Sequence, residues 1–134
     1  MKRIEHLGIA VKNLEEAIPL YEALLNTNCY KREGVASEGV MTAFFQIGES
    51  KIELLEATNE ESPIAKFLSK NGPGFHHVAF EVENIASEIA RLQAAGFQLI
   101  HELAKDGADN KQIAFLHPKS TGSLLVEICQ EKSA

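Results

Sequence analysis

The 134-residue sequence has only two cysteines and no long apolar run. Cys29 and Cys129 both lie in apolar segments, so the sequence offers no disulfide framework and favours a reducing compartment. No apolar stretch approaches the ~18 residues that a membrane-spanning helix needs, and no signal peptide is visible. These absences predict a cytoplasmic protein without a membrane partner.

Basic residues are scarce relative to acidic ones. Lysine and arginine number 13 against 19 aspartates and glutamates, which gives a formal net charge of −6. This balance argues against nucleic acid as a partner, although a small anionic ligand needs only local cations. With 45% hydrophobic and 24% charged residues, the chain is typical of one globular domain that buries its own core.

The beginning of the sequence returns in its second half. The segment 74–82 restates residues 5–11 at a shift of 71 positions, and this overlay places His77 on His6. Both segments alternate like strands and both continue into an asparagine that can cap a helix. The chain is therefore predicted to contain two copies of one unit.

The end of each copy repeats as well. Residues 51–56 match residues 125–130, which places Glu53 on Glu127. Each half therefore offers one histidine and one glutamate at corresponding strand positions.

Alternation and helical spacing predict the same element order in both halves, a strand, a helix and three further strands. Module one is predicted at about 1–57 and module two at about 74–131, with a linker helix at about 62–70. Pro19 predicts that the first helix is kinked or begins late. The fold class is α+β, two tandem βαβββ modules in the single domain 1–134. The predicted strands are 4–11, 28–33, 39–47, 50–57, 75–82, 97–102, 111–117 and 123–130.

A sheet that carries one helix buries only the covered face, so two such sheets are expected to enclose a mixed-sheet cleft. His6 and Glu53 lie opposite the helix-packing residues, and His77 takes the same register. Glu127 shares its face with apolar side chains. Two imidazoles and two carboxylates suit a divalent transition ion with positions left for water or substrate. We predict a metal-binding cleft in which these four residues hold one divalent ion per chain, namely cobalt, manganese, nickel, zinc or magnesium.

The other histidines are predicted not to bind this metal. His76 points to the opposite face from His77 and is expected to pack or to support the site. His101 and His117 are expected to be non-ligands.

These motifs resemble the methylmalonyl-CoA epimerase family of the vicinal oxygen chelate superfamily, which has the glyoxalase-like fold. The similarity covers essentially the whole chain. The strand and ligand motifs are shared by the superfamily, including glyoxalase I, whereas the short central helix, the His-His strand and the His-Pro-Lys-Ser turn point to the epimerases. The segments that carry the resemblance are 6–11, the strand of Glu53, 61–68, 74–80 and 115–120. The metal ligands of the family map to His6, Glu53, His77 and Glu127, although some members have Gln in place of Glu53.

The resemblance implies interconversion of (R)- and (S)-methylmalonyl-CoA through a metal-stabilised enolate. Inversion requires acid and base groups on opposite sides of the planar intermediate. Glu127 is one catalytic candidate. A carboxylate proposed as the base in some relatives aligns with Thr42, which cannot serve as one. Glu53, Gln46 acting through a water, or a metal-bound water could substitute.

The coenzyme A thioester needs further contacts. Its phosphates require local cations, for which Lys105, Lys111 and Lys119 are candidates. Thr42 and Gln46 are further candidates for substrate binding. The family resemblance also implies a homodimer.

Three alternatives use the same fold. A glyoxalase I-type lactoylglutathione lyase carries the same ligand set. An extradiol dioxygenase would require two histidines and one carboxylate around iron, so the fourth ligand counts against it. A metal-free small-molecule-binding protein would make the four residues dispensable.

Overall fold

The computed structural model describes residues 1–132. They divide into two compact units. The N-terminal unit is His6–His76, and the C-terminal unit combines Met1–Glu5 with the chain from His77 onward. The strands are β1 (Arg3–Ala10), β2 (Lys31–Val35), β3 (Val40–Ile47), β4 (Ser50–Ala57), β5 (Gly74–Glu81), β6 (Lys105–Asp106), β7 (Lys111–Leu116) and β8 (Val126–Glu131). The helices are α1 (Leu14–Leu25), α2 (Pro63–Asn71) and α3 (Ile85–Ala94), with 3-10 turns at Ala36–Glu38 and Pro118–Ser120.

The N-terminal unit is a four-stranded mixed sheet in the order β2-β3-β4-β1. Strands β1 and β4 pair in parallel, while β2, β3 and β4 pair antiparallel. Helix α1 covers one face, because its apolar stripe packs on alternate strand residues of that face. The buried members of this cluster are Val11, Leu14, Ala17, Ala43, Phe45 and Leu54. The predicted βαβββ order is confirmed in this unit.

Helix α1 begins where Asn13 caps it. The Asn13 side chain accepts a hydrogen bond from the Glu16 backbone N–H at 3.2 Å, and the helix continues through Pro19 to Leu25. The predicted late start is therefore wrong. Pro19 leaves the Glu15 carbonyl without its helical partner, and both residues are exposed, so water can hydrogen-bond this carbonyl.

Helix α2 covers one end of the opposite sheet face. Ser62 caps it by accepting from the Ala65 N–H at 3.0 Å, and buried Ile64 packs against Ala10 and Leu55. The expectation that this face is left free is thus wrong at its α2 end. The apolar side chains there require a cover, since leaving them exposed would forfeit burial energy.

The C-terminal unit repeats the arrangement with the strand order β5-β8-β7-β6 and a parallel β5–β8 pair. Asn84 caps α3 by accepting from the Ser87 N–H at 2.9 Å. The helix buries three apolar side chains, which are Ile85, Ile89 and Leu92. The predicted βαβββ order is confirmed here too.

The predicted strand at 97–102 is wrong. Leu99 forms an isolated bridge with Leu116, whereas the edge strand β6 begins at Lys105, which lies opposite Ile113. Lys105 is six residues after Leu99, whereas their partners on β7, Leu116 and Ile113, are only three residues apart. The three extra residues therefore form a bulge. Alternation in the sequence does not reveal an insertion of this kind.

Among the described residues, no helix combines the length and the apolar character that crossing a bilayer would require.

Candidate functional site

A histidine and a glutamate meet on the sheet face of the N-terminal unit that α1 leaves uncovered. Gly8 on β1 lies directly opposite Glu53 on β4, and His6 precedes Gly8 by two residues on the same face. Because Gly8 has no side chain, nothing on β1 separates the imidazole from the carboxylate. His6 Nε2 lies 3.5 Å from Glu53 Oε2, and the two residues are only 4% and 7% exposed.

The C-terminal unit contains an equivalent histidine–glutamate pair with the same arrangement on its strands. Ala79 on β5 lies opposite Glu127 on β8, and His77 precedes Ala79 by two residues. His77 Nε2 lies 3.3 Å from Glu127 Oε1, and the two residues are 3% and 4% exposed. A small residue opposite each glutamate therefore admits the imidazole in both halves.

Each pair suits a divalent metal ion by its chemistry. Imidazole nitrogen and carboxylate oxygen both bind zinc and related ions at about 2.0–2.2 Å, so two adjacent ligand atoms at a right angle lie about 3 Å apart. The separations of 3.3 and 3.5 Å are close to this value. Burial also favours a cationic partner, because a buried carboxylate is costly unless it is paired.

An aromatic ring stands beside each glutamate. Phe44 on β3 lies opposite Glu53, and Phe115 on β7 lies opposite Glu127. The Phe115 ring meets the His77 ring edge-on, with centroids 5.9 Å apart. These rings limit water near the carboxylates, and their equivalence is a part of the repeat that the sequence reasoning missed.

Cys129 completes the face around Glu127. Its thiol donates to the Phe80 carbonyl at 3.6 Å. Burial raises the pKa of Cys129 strongly, and the negative charges of Glu127 and Glu5 add to the effect. Burial therefore favours the neutral thiol at physiological pH.

The polar residues predicted on β3 are engaged within the sheet. Thr42 is buried, and its hydroxyl donates to the Glu33 carbonyl at 2.7 Å. The Gln46 amide donates to the carbonyls of Gly48 and Ser50 at 2.8 and 3.3 Å in the β3–β4 hairpin. Their assignment to substrate binding stays a prediction, and each side chain would have to use its remaining acceptor capacity.

The three candidate lysines differ in exposure. Lys119 is exposed in the 3-10 turn, and Lys105 is half-buried in the short edge strand. Lys111 is only 5% exposed, which sequence reasoning did not anticipate. It lies on the same face of β7 as Phe115.

Sequence reasoning also missed a charged network in the C-terminal unit. Arg3 donates to Glu81 at 3.1 Å, Lys2 lies 3.6 Å from the same carboxylate, and buried Glu5 lies 4.0 Å from Arg3. The Arg3 hydrogen bond lowers the pKa of Glu81, although burial opposes the shift. The only sequence signal was a run of charged residues within a strand otherwise rich in apolar ones.

The other three histidines lie outside the two histidine–glutamate pairs. The His76 ring packs edge-on against Phe67, with centroids 4.9 Å apart. His117 Nδ1 accepts from the Lys119 N–H at 3.1 Å and caps the 3-10 turn. His101 is exposed.

Comparison with known proteins identifies the family. The model of the Glyoxalase/Bleomycin resistance protein/Dioxygenase superfamily matches residues 5–115. The ethylmalonyl-CoA/methylmalonyl-CoA epimerase of Cereibacter sphaeroides is 39% identical, covering 96% of this chain and 97% of that protein. The mitochondrial methylmalonyl-CoA epimerase of Homo sapiens is 38% identical, covering 96% of this chain and 73% of that protein. This chain belongs to the methylmalonyl-CoA epimerase family of that superfamily.

A solved structure extends the likeness to the fold. A Streptomyces coelicolor methylmalonyl-CoA epimerase in complex with 2-nitronate-propionyl-CoA superposes with a TM-score of 0.95 at 31% identity, covering 100% of this chain and 97% of that chain. The predicted family, the glyoxalase-like fold and the isomerase class are therefore confirmed.

Proposed function

We propose that this protein interconverts the (R) and (S) epimers of methylmalonyl-CoA in a metal-dependent reaction. The observation that carries the proposal is the matched His–Glu pair in each unit, with nitrogen–oxygen distances of 3.5 and 3.3 Å. Membership of the epimerase family and the CoA ligand of the Streptomyces coelicolor protein support the substrate class.

The metal ligands in this proposal are His6, Glu53, His77 and Glu127, which together hold one divalent ion per chain. The donor set of two imidazoles and two carboxylates fits cobalt, manganese, nickel, zinc or magnesium. When bound, such an ion acts as a Lewis acid that stabilises negative charge on the thioester oxygen.

The glutamates have a second role in the proposal. Epimerisation requires that a proton leave the α-carbon on one side and return on the other. Glu127 is proposed to exchange this proton on one side, while Phe115 and Cys129 exclude water around its carboxylate. Glu53 is proposed to assist proton transfer from the N-terminal unit.

Further contacts complete the proposal. Lys105, Lys111 and Lys119 are assigned to the phosphates of coenzyme A, and Thr42 and Gln46 to the acyl portion. Exposed Lys119 meets the requirement most directly, since a phosphate in solvent can reach it. The protein is proposed to act as a cytoplasmic homodimer, an assembly expected at about twice the 14.7 kDa chain mass.

The decisive experiment is an epimerase assay on pure (2R)- or (2S)-methylmalonyl-CoA. Removal of metal by a chelator should abolish conversion. Each divalent ion, added back separately, should restore epimerase activity to a level that depends on the ion. A parallel assay with the methylglyoxal–glutathione adduct tests for lactoylglutathione lyase activity. Turnover of that adduct without epimerisation would overturn the proposed function. Full epimerase activity in metal-free protein would overturn the proposed metal dependence.

A further inference from the structure

The edge strand of the N-terminal unit carries a carboxylate on the same sheet face as Glu53. In β2, Lys31 lies opposite Phe44 and Glu33 lies opposite Thr42. Lys31 Nζ stands 5.9 Å from the Phe44 ring centroid, which confirms that the alternate residues of β2 reach this face. The Glu33 side chain is 32% exposed, so a molecule lying on the face can contact it.

Few other groups on this face can move a proton. The faces of β1, β3 and β4 opposite α1 carry His6 and Glu53, which are assigned above to the metal. They also carry Lys51, which lies opposite His6 and offers an amine rather than a carboxylate. The Thr42 hydroxyl and the Gln46 amide donate to backbone carbonyls, and neither is a base near neutral pH. Within the described strands of this unit, Glu33 is therefore the carboxylate on this face besides Glu53, which is assigned to the metal and is proposed only to assist proton transfer.

The surroundings of Glu33 fix its position. Lys31 Nζ lies 3.1 Å from Glu33 Oε1, and the Thr42 hydroxyl bonds the Glu33 carbonyl at 2.7 Å. These contacts hold both the side chain and the backbone at the point where β2 faces β3. A base must be held in this way if it is to meet a carbon acid at hydrogen-bond distance.

The spacing leaves room for a substrate. Strands β2 and β4 flank β3, so their backbones lie about 10 Å apart at the usual strand spacing. Glu33 lies in the row of Thr42, and Glu53 lies in the next row, that of Phe44. The two side chains therefore extend from the same face on a diagonal across that gap. General base catalysis allows a carboxylate to act on a carbon held in that space either directly or through one bridging water.

We propose that Glu33 is a catalytic residue, the acid/base group on the substrate side that faces the N-terminal sheet. The inference rests on the proposed epimerase function. In one direction the Glu33 carboxylate accepts the α-proton, the electron pair of the C–H bond passes into the enolate, and the opposing acid, assigned to Glu127, delivers a proton to the other side. In the other direction the roles exchange, and solvent restores both groups.

Glu33→Gln tests the assignment, with Glu15→Gln as a matched control. Both substitutions remove a carboxylate paired with a cation of β2, since Glu15 lies 2.8 Å from Arg32. Glu15, however, stands on α1, away from the site face. We expect Glu33→Gln to lower the epimerisation kcat by about 10²- to 10⁴-fold, and Glu15→Gln to change it less than about threefold.

Hydrogen exchange in deuterated water separates a catalytic role from a structural one. Glu33→Gln should still exchange the α-hydrogen of one epimer, with retention of configuration, while exchange of the other epimer is lost. Bound metal and melting temperature should match the unsubstituted protein. Equal losses for both epimers together with lost metal would overturn the assignment, as would an active Glu33→Gln variant. An inactive unsubstituted protein would instead reject the proposed function itself.

Discussion

Metal binding should stabilise the folded protein by an amount that can be calculated beforehand. The ligand pairs are buried and exist only in the folded state, so an ion that binds them shifts the folding equilibrium. Stabilisation is about 2.7 kcal/mol at a free metal concentration of 100 Kd and about 4.1 kcal/mol at 1,000 Kd. At roughly 4 °C per kcal/mol for a chain of this length, the melting temperature should rise by roughly 11 and 16 °C.

His77→Ala should remove most of this shift, and His101→Ala should preserve it. His77 lies 3.3 Å from Glu127 in a buried pair, whereas His101 is exposed. Removing one partner of a buried pair also costs about 3–5 kcal/mol in the metal-free protein, so each variant must be compared with its own metal-free sample. Glu127→Leu provides a second test, because leucine is of similar size and offers no ligand atom.

Differential scanning calorimetry in chelator, and then at increasing free zinc, manganese or cobalt, measures the shift. A His77→Ala or Glu127→Leu protein that gains as many degrees as the unsubstituted protein would refute the ligand assignment. The same conclusion would follow if His101→Ala abolished the gain.

Three further outcomes are expected. Because the Arg3 hydrogen bond holds the pKa of Glu81 below its ordinary 4.5, the pair stabilises the fold above that pH and the benefit is lost as pH falls through the lower folded value. Urea unfolding from pH 7 to pH 3 should show a larger loss of stability in the unsubstituted protein than in Glu81→Gln, in which other carboxylates such as Glu88 still titrate. Iodoacetamide should leave Cys129 unlabelled until the protein unfolds, as peptide mass spectrometry would show. Ser62→Ala should cost about 1 kcal/mol in the same urea assay through loss of the α2 cap, and an unchanged midpoint would contradict that role.

The repeat made much of the fold and the two pairs predictable. A strand residue alternates between faces with a period of two, so matching His6 with His77 and Glu53 with Glu127 also matched their faces. The caps at Asn13 and the equivalent asparagine of the second half were readable for a similar reason, since capping depends on local geometry. Whether the four residues share one ion stays a prediction.

Other features depend on contacts that a strand pattern does not encode. The bulge between Leu99 and Lys105 depends on where β7 resumes pairing, and the alternating sequence 97–102 is compatible with an unbroken strand. The donor roles of Thr42 and Gln46 likewise require the positions of backbone carbonyls on neighbouring segments. Periodicity identifies the face of a side chain, not its hydrogen-bond partner.

Both halves carry a glutamate with an aromatic residue opposite it, but they differ at their edge strands, β2 and β6. This difference bears on catalysis. In the N-terminal unit the row from Glu53 through Phe44 continues onto β2 at Lys31. Glu33 lies in the next row of the same face, opposite Thr42. In the C-terminal unit the bulge separates the Leu99 bridge from β6, so regular pairing stops beside Phe115. The two epimers present their protons on different sides, so an epimerase needs two acid/base groups but has no need for them to be equivalent. A duplicated scaffold that keeps equivalent His–Glu pairs while its edge strands diverge meets both requirements.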